Sequence, residues 1–542
     1  MCDKALVFTG ALVLFPIKPP RIQRKQRTKP GERLGLVPDL NPLLPLRLTG
    51  TNRLFLHPHK MNQQDLYEIV IGLEIHAQLL TKSKLFCGDS TVFGQEPNTH
   101  VSPITLGHPG TLPKMNKKAI EYAVKMGLAC HCEIERFNYF ARKNYFYPDL
   151  PKGYQLSQHT TPICKGGFVK IKTATGEKEI RLNRIHMEED AGKSIHDADS
   201  DFTSVDYNRA GTPLIEIVSE PDLRSAEEVY NYLSEVRKLV RYLDVCDGNM
   251  EEGSFRCDVN ISARKKGERK LGTKVEIKNL NSIRNAKRAV EIEAERLIGL
   301  LEKGEIVIQQ TRSFEATTNT TFAIRDKEDA DDYRYFPEPD LTPFHLQEEF
   351  IERILKEIPV LQDERIKKYV GEYKLSEYDS AFLTEEKNFS DFFEKIIQRT
   401  TNYKAAANWM SGPVKSWLND NSSDIENFPI SSEQIALIID LVEKGKLSFS
   451  TASTKLLTAL FKEPSKDPAQ LAADLNLIQE SDASTLEPIV DQVILKMADK
   501  VKEYKKGKKG LMGLFVGEVM KLSKGKADPK LTNDLLAEKL NA

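Results

Sequence analysis

Four short segments of the chain carry ionisable or amide side chains at every second position. Glu74 and His76 stand so in Ile71-Gly-Leu-Glu-Ile-His, and His186, Glu188 and Asp190 in Ile185-His-Met-Glu-Glu-Asp. Arg256, Asp258 and Asn260 follow in Arg256-Cys-Asp-Val-Asn-Ile-Ser, then Lys274, Glu276 and Lys278 in Lys274-Val-Glu-Ile-Lys. In a strand this spacing places side chains on one face, so the segments could line a shared concavity with carboxylates, an imidazole and lysines. Oxygen ligands of this kind suit Mg2+, which takes one or two carboxylates together with substrate phosphates. The lysines beside them would contact those phosphates. The competing reading is a set of half-solvated strands whose alternation makes a polar face without function. Glu74 and His76 are the hardest to dismiss in that way, because a charge in an otherwise apolar strand needs a partner.

Other chemistries find less support. The chain has no Gly-x4-Gly-Lys-Ser/Thr loop, no Gly-x-Gly-x-x-Gly after a strand, no His-Glu-x-x-His and no nucleophile elbow, which disfavours a standard NTPase or dehydrogenase. Cys130-His131-Cys132 has a single residue between its thiols, and Cys87 and Cys164 are isolated, so no zinc-knuckle spacing is complete. Leu106-Gly-His-Pro-Gly-Thr-Leu-Pro is turn chemistry that lets backbone approach a ligand closely. The segment from Arg142 to Gln155, Arg-Lys-Asn-Tyr-Phe-Tyr-Pro-Asp-Leu-Pro-Lys-Gly-Tyr-Gln, interleaves basic and aromatic residues. It reads either as a surface that stacks on bases and neutralises phosphates or as core packing.

The elements that must position these residues fall into two textures. From Tyr67 to about Pro343, short apolar or alternating runs punctuated by Gly and Pro predict strands, with helices at Lys117 to Gly127, Ser225 to Leu243 and Ile283 to Leu301. This predicts an α+β fold with a largely antiparallel sheet, which the Pro-rich stretch Tyr335 to Pro343 leaves. Helical periodicity then runs over Glu348 to Glu357, Asp363 to Lys374, Asn388 to Arg399, Tyr403 to Leu418 and Ser432 to Lys444, with Pro413 expected to kink or end a helix. The pattern pauses around Asp467 to Glu480, and short helices resume in a tail with nine lysines against three acids between Lys502 and Lys530. That excess is either a phosphate-binding face or a solvated one. The expected division is a disordered or dispensable extension over 1–60, a cradle domain over 61–355, a helical domain over 356–473 and a tail domain over 474–542.

At 542 residues the chain exceeds what one hydrophobic core usually serves. Hydrophobic residues at 40% and charged residues at 29% exclude a disordered or fibrous protein. Seven cysteines, an odd number, suit a reducing compartment better than a disulfide framework. No run of 18 apolar residues occurs, so no membrane association is expected. Residues Met1 to Lys60 differ, with eleven Lys or Arg against three acids and eight prolines. Three readings stay open for them: an extension before a functional start at Met61, a transit peptide, or an intact disordered segment. The expected compartment is cytoplasmic, or mitochondrial or plastid if the segment is a transit peptide.

Several motifs together resemble one family. Ile71-Gly-Leu-Glu-Ile-His, Arg142-Lys-Asn-Tyr-Phe-Tyr-Pro-Asp, Tyr154-Gln-Leu-Ser-Gln, His186-Met-Glu-Glu-Asp-Ala-Gly-Lys, Asn208-Arg-Ala-Gly-Thr-Pro-Leu-Ile-Glu and Met250-Glu-Glu-Gly-Ser-Phe-Arg-Cys-Asp resemble the B subunits of the aspartyl/glutamyl-tRNA amidotransferases. Lys278-Asn-Leu-Asn-Ser and Asp332-Tyr-Arg-Tyr-Phe-Pro-Glu-Pro-Asp follow in the expected order, and Gly510 to Pro529 resembles the YqeY-like tail of that family. The resemblance runs from about Tyr67 to the C-terminus.

It implies a cradle-shaped catalytic domain, a helical domain and a small tail domain. It also implies an ATP-dependent carbon-nitrogen ligase that uses Mg-ATP to phosphorylate the side-chain carboxylate of Glu-tRNA(Gln) or Asp-tRNA(Asn), after which ammonia displaces phosphate. Ammonia comes from a separate glutaminase A subunit, and a small C subunit completes a heterotrimer. Carried over by position, Glu74, His76 and Glu188 match the magnesium site, Glu189, Glu252 and Asp258 are its neighbours, and Lys193 and Lys278 are candidate phosphate contacts. Many members hold zinc between four cysteines. Here Cys87-Gly-Asp89 and Ser102-Pro-Ile-Thr105 keep only Cys87, so no structural zinc is expected. The rival within the resemblance is a noncatalytic tRNA-binding protein, which would be expected to have lost part of the Glu74, His76, Glu188 set.

Overall fold

The structure, a computed structural model, describes residues 66–196, 202–326, 333–478, 483–523 and 526–541. The readings of residues 1–60, a start at Met61 and a transit peptide among them, lie outside the described residues.

The alternation of Tyr67–Gln78 decides the fold's main division. Ile71, Leu73, Ile75 and Ala77 are at most 1% exposed and enter the main core, where each buried aliphatic side chain contributes about 1.5–3 kcal/mol. Glu74, His76 and Gln78 therefore point to the opposite face. This strand lies in the middle of a 13-stranded sheet, antiparallel to Phe255–Lys265 on one side and to Pro213–Ser219 on the other. Outside Phe255–Lys265 come Val275–Leu280, Gln310–Glu315 and Thr320–Asp326; outside Pro213–Ser219 come Gly176–Glu189, Tyr154–Ser157, Ala141–Asn144 and Phe336–Pro337. The ladder between Val275–Leu280 and Gln310–Glu315 is parallel, which requires a crossover, and the helix Ile283–Glu302 supplies it.

The helices Ala226–Tyr242 and Ile283–Glu302 pack on the apolar face through Val229, Leu233, Val236, Ala286, Val290 and Leu297. Both start where a serine caps them: Ser225 accepts from the Glu228 amide and Ser282 from the Asn285 amide. The α+β expectation thus meets a mixed fold with a large, mostly antiparallel sheet followed by a helical C-terminal region.

In that helical region the structure decides between two readings at Pro413 and corrects one expectation further on. The run Tyr403 to Leu418 is not ended by Pro413: Tyr403–Trp409 continues through a π turn, Met410–Val414, into Lys415–Asp420. The wider turn accommodates the ring and the missing amide hydrogen. The pause at Asp467 to Glu480 contains a helix, Pro468–Asp474, capped by Asp467 and opened by a proline at its first turn. Two further cores follow the first, one built around Phe393, Trp409, Ile435 and Leu456 and one around Leu486, Val490, Phe515 and Leu536. No helix among the described residues is long and apolar enough to cross a membrane.

Candidate active site

The polar face of the sheet gathers its ionisable residues by cross-strand register. His76 stands opposite Glu216, and Glu216 opposite His186 on the next strand. His76 Nε2 is 3.4 Å from Glu216 Oε2 and 3.6 Å from Glu188 Oε1, while His186 Nε2 is 3.5 Å from Glu216 and 3.8 Å from Glu188. Ligand atoms of His76, Glu188 and Glu216 all lie within 4.8 Å of one another. On the other flank of Tyr67–Gln78, Glu74 stands opposite Asp258. Glu74, Asp258 and Glu276 form a second group within the same limit. The Mg2+ set expected as Glu74, His76 and Glu188 is therefore divided between two neighbouring clusters.

Each cluster has its own counter-charges. Lys278 Nζ donates to Asp258 Oδ2 at 2.6 Å and lies 3.3 Å from Glu276 Oε1. Burial opposes its charge, but the two carboxylates raise its pKa well above the usual lysine value. The Asn260 amide nitrogen donates to Glu74 at 2.9 Å, leaving Asn260 Oδ1 buried without a partner. In the first cluster burial opposes a charge on His76, yet the hydrogen bond and charge of Glu216 and the charge of Glu188 push its pKa up to about 9. Burial likewise disfavours ionised Glu216, but His186, His76 and Lys143 hold its carboxyl well below the usual range. Lys143 on Ala141–Asn144 faces the same cluster. Against the effect of burial, the charges of Glu188, Tyr335 and Glu216 raise its pKa.

The remaining expected site residues separate. Glu189, one residue past Glu188, turns to the other side of the sheet, where it accepts from Lys152 Nζ at 2.5 and 2.6 Å and from the Leu156 amide at 2.9 Å. There it lines a cavity of about 280 Å3 with Lys84, Arg142 and Tyr154. Glu252 is exposed on the turn before Phe255–Lys265, its amide bonded to Asn249. Lys193 is exposed on a separate hairpin, Lys193–His196 with Thr203–Asp206. Lys274 is exposed outside Val275–Leu280. Asp190 is buried as a link, accepting from Gln78 at 2.7 Å and Arg256 at 2.8 Å. Burial works against its charge, but Arg256 and Arg209 keep its pKa lowered.

Sequence reasoning missed Glu216 and Lys143. Glu216 carried the same signal as Glu74, a single carboxylate in the apolar alternation Leu214-Ile-Glu-Ile-Val. Lys143 lies on a strand of four residues, too short for alternation to show which side it faces. At the loops with the lone thiol, Asp89 Oδ2 accepts from the Ser102 amide at 2.8 Å and the Thr105 hydroxyl at 2.5 Å, and Cys87 Sγ lies 3.4 Å from the same hydroxyl.

Residues 69–352 match the family described as the GatB/GatE catalytic domain, and residues 391–540 match the one described as the GatB domain. The chain is 48% identical over 470 residues to the B subunit of the aspartyl/glutamyl-tRNA(Asn/Gln) amidotransferase of Thermodesulfovibrio yellowstonii, covering 87% of this chain and 98% of the relative. It is 48% identical to the protein of that name from Persephonella marina and 47% identical to that from Bdellovibrio bacteriovorus, covering 88% of this chain and 99% of the relative in each case. The matched catalytic-domain segment contains every strand of the two carboxylate clusters, and with near-complete coverage of the relatives the chain belongs to the family of aspartyl/glutamyl-tRNA(Asn/Gln) amidotransferase B subunits.

Proposed function

We propose that this chain activates the side-chain carboxylate of misacylated Glu-tRNA(Gln), Asp-tRNA(Asn) or both with ATP, and amidates it with ammonia delivered by a glutaminase A subunit. A small C subunit completes the heterotrimer. The observation that carries this reading is the pair of adjacent carboxylate clusters on one sheet face, flanked by Lys278 and Lys143.

The donor set fits Mg2+. The second cluster offers carboxylate oxygens and the unpartnered Asn260 Oδ1, and the first offers two carboxylates and the His76 imidazole. When bound, Mg2+ neutralises phosphate charge and orients the transferred phosphoryl group. The residues of the chain supply the rest. Lys278 and Lys143, both held protonated, are placed to offset the negative charge of ATP and the reacting carboxylate. A carboxylate is a poor electrophile because oxide is a poor leaving group, whereas the acyl phosphate releases phosphate when ammonia attacks. Asp190 positions the ends of the strands that hold the first cluster by accepting from both the Gln78 amide and Arg256.

In this reading the sheet region forms the cradle, the second core the helical domain and the third core the tail. The hydrogen bonds among Cys87, Asp89, Ser102 and Thr105 serve where relatives use zinc, and the protein works in the cytoplasm. The test uses the chain assembled with its A and C partners, labelled glutamyl-tRNA(Gln), Mg-ATP and ammonium. Amide product should depend on ATP and persist when the glutaminase is inactivated. Glu188→Gln should lower the rate roughly 100-fold or more with tRNA affinity within about twofold of wild type. Equal activity of that variant would remove the metal assignment.

A further inference from the structure

The segment from Tyr145 to Gly153 presents an aromatic ring that the proposed chemistry does not use. Phe146 is 96% exposed, an unusual state for a phenyl group, and Tyr147 beside it is 56% exposed. The segment is tied down on both sides. Leu150 N donates to Tyr147 O at 3.0 Å, Gly153 N to Leu150 O at 3.0 Å, Gly192 N to Asp149 O at 2.7 Å, and the Tyr207 hydroxyl to Pro148 O at 2.8 Å. Gly153 has a φ of +73°, which favours glycine, and a Cβ added there would stand 3.7 Å from Phe146 Cζ. The backbone that carries the ring is thus held in place, while the ring itself is open to solvent.

The residues just before it lead back to the cluster. Tyr145, the preceding residue, has its hydroxyl 3.4 Å from Gln155 Oε1, and its ring packs edge-on to Tyr333 with centroids 6.0 Å apart. Lys143 Nζ lies 4.9 Å from the Tyr333 ring, and that lysine faces Glu188 and Glu216. Phe146 thus follows Tyr145 directly and lies three residues along the chain from Lys143, which faces the carboxylate cluster.

We propose that the Phe146 ring is a stacking platform for the unpaired terminal adenine of the substrate tRNA. The inference rests on the proposed function. The amino acid to be amidated is esterified to the terminal nucleotide, so the base of that nucleotide must lie a short reach from the cluster that receives the carboxylate. An open aromatic face with a nearby cation is what single-stranded nucleic acid recognition uses. ATP carries the same base, so the test separates the two sources.

In the assembled complex, Phe146→Ala should raise KM for aminoacyl-tRNA by between about 5-fold and 150-fold, the range of one lost base–aromatic stack. The KM for ATP should stay unchanged, and Phe146→Trp should restore wild-type behaviour. A tRNA carrying 2-aminopurine as its terminal base should lose fluorescence on binding to wild type and to Phe146→Trp, and keep it on binding to Phe146→Ala at saturation. Equal quenching by wild type and Phe146→Ala overturns the platform even if amidation proceeds. Phe146-dependent quenching without any amide product supports the platform and removes the proposed function instead. A rise confined to the KM for ATP, or weakened attachment of the A or C subunit, assigns the ring to the nucleotide or to a protein contact and overturns the inference.

Discussion

Glu216 stands between two imidazoles, and its value to the site follows from that placement. His186 and His76 hold it ionised although burial opposes the charge. Removing the charge leaves two histidines facing a neutral amide. Glu216→Gln is therefore expected to lower ATP-dependent amidation roughly 100-fold or more, measured with ammonium so that the glutaminase plays no part. Retention of more than a tenth of wild-type rate would show that Glu188 alone suffices. The position was legible, since a lone carboxylate in an apolar strand needs a partner wherever it points. Lys143 was not, because its neighbours Tyr333 and Tyr335 come from a distant part of the chain. Lys143→Met should lower the amidation rate while leaving tRNA affinity within about threefold, and an unaffected rate would release Lys143 from the chemistry.

Among the elements, the far edge of the sheet is fastened in part by a buried ion pair. Arg142 Nε and Nη2 each donate to Glu338 at 2.8 Å, fastening the short strand Phe336–Pro337 beside Ala141–Asn144. Burial raises the Glu338 pKa, but the Arg142 hydrogen bonds outweigh it and hold the carboxyl below its ordinary 4.5. A carboxyl depressed by folding stabilises the protein above its unfolded pKa, and that stability is lost as pH falls through the folded value. Glu338→Gln should thus cost about 1–3 kcal/mol near neutrality. The difference in urea midpoint from wild type should stay constant down to about pH 5 and shrink below it. A difference independent of pH would assign the loss to packing. The clasp on the Cys87 loop belongs to the same scale. Asp89→Ala removes the acceptor for Ser102 and Thr105 and should destabilise the protein by about 1–3 kcal/mol, with added zinc giving no recovery in a thermal melt.

For the molecule as a whole, three cores follow one another along the described residues. The third core draws its buried residues from Leu486 to Leu540 alone, so deleting residues from 483 onward leaves the first two cores intact. The exposed Lys502, Lys505, Lys506, Lys508 and Lys509 go with it. The expected result is an unchanged urea transition of the remaining chain and a lower tRNA affinity, with a salt dependence shallower by about one logarithmic unit per lost phosphate contact. Unchanged affinity would make the lysines a solvated face. The first two cores meet through Tyr242 OH, which donates to Thr384 O at 2.5 Å, and through the ion pairs Arg241 with Glu386 and Lys387 with Asp244. Around these pairs a cavity of about 420 Å3 carries both signs of charge.

The periodicities and the ends of the elements follow from residues near one another along the chain. Strict alternation in Ile71 to His76 requires a sheet with one apolar face, and the serines at 225 and 282 start the two helices that cover it, because these effects act between residues close along the chain. Motifs of adjacent residues were enough to indicate the family. Which carboxylates act together was decided only by tertiary structure. Glu74 joins Asp258 and Glu276 rather than His76, and Glu216 completes the other cluster, since each grouping follows from pairing between strands far apart in sequence. A shift of register by one residue would turn these side chains to the opposite face, and no local pattern in Glu74 or His76 states which strand will lie beside it.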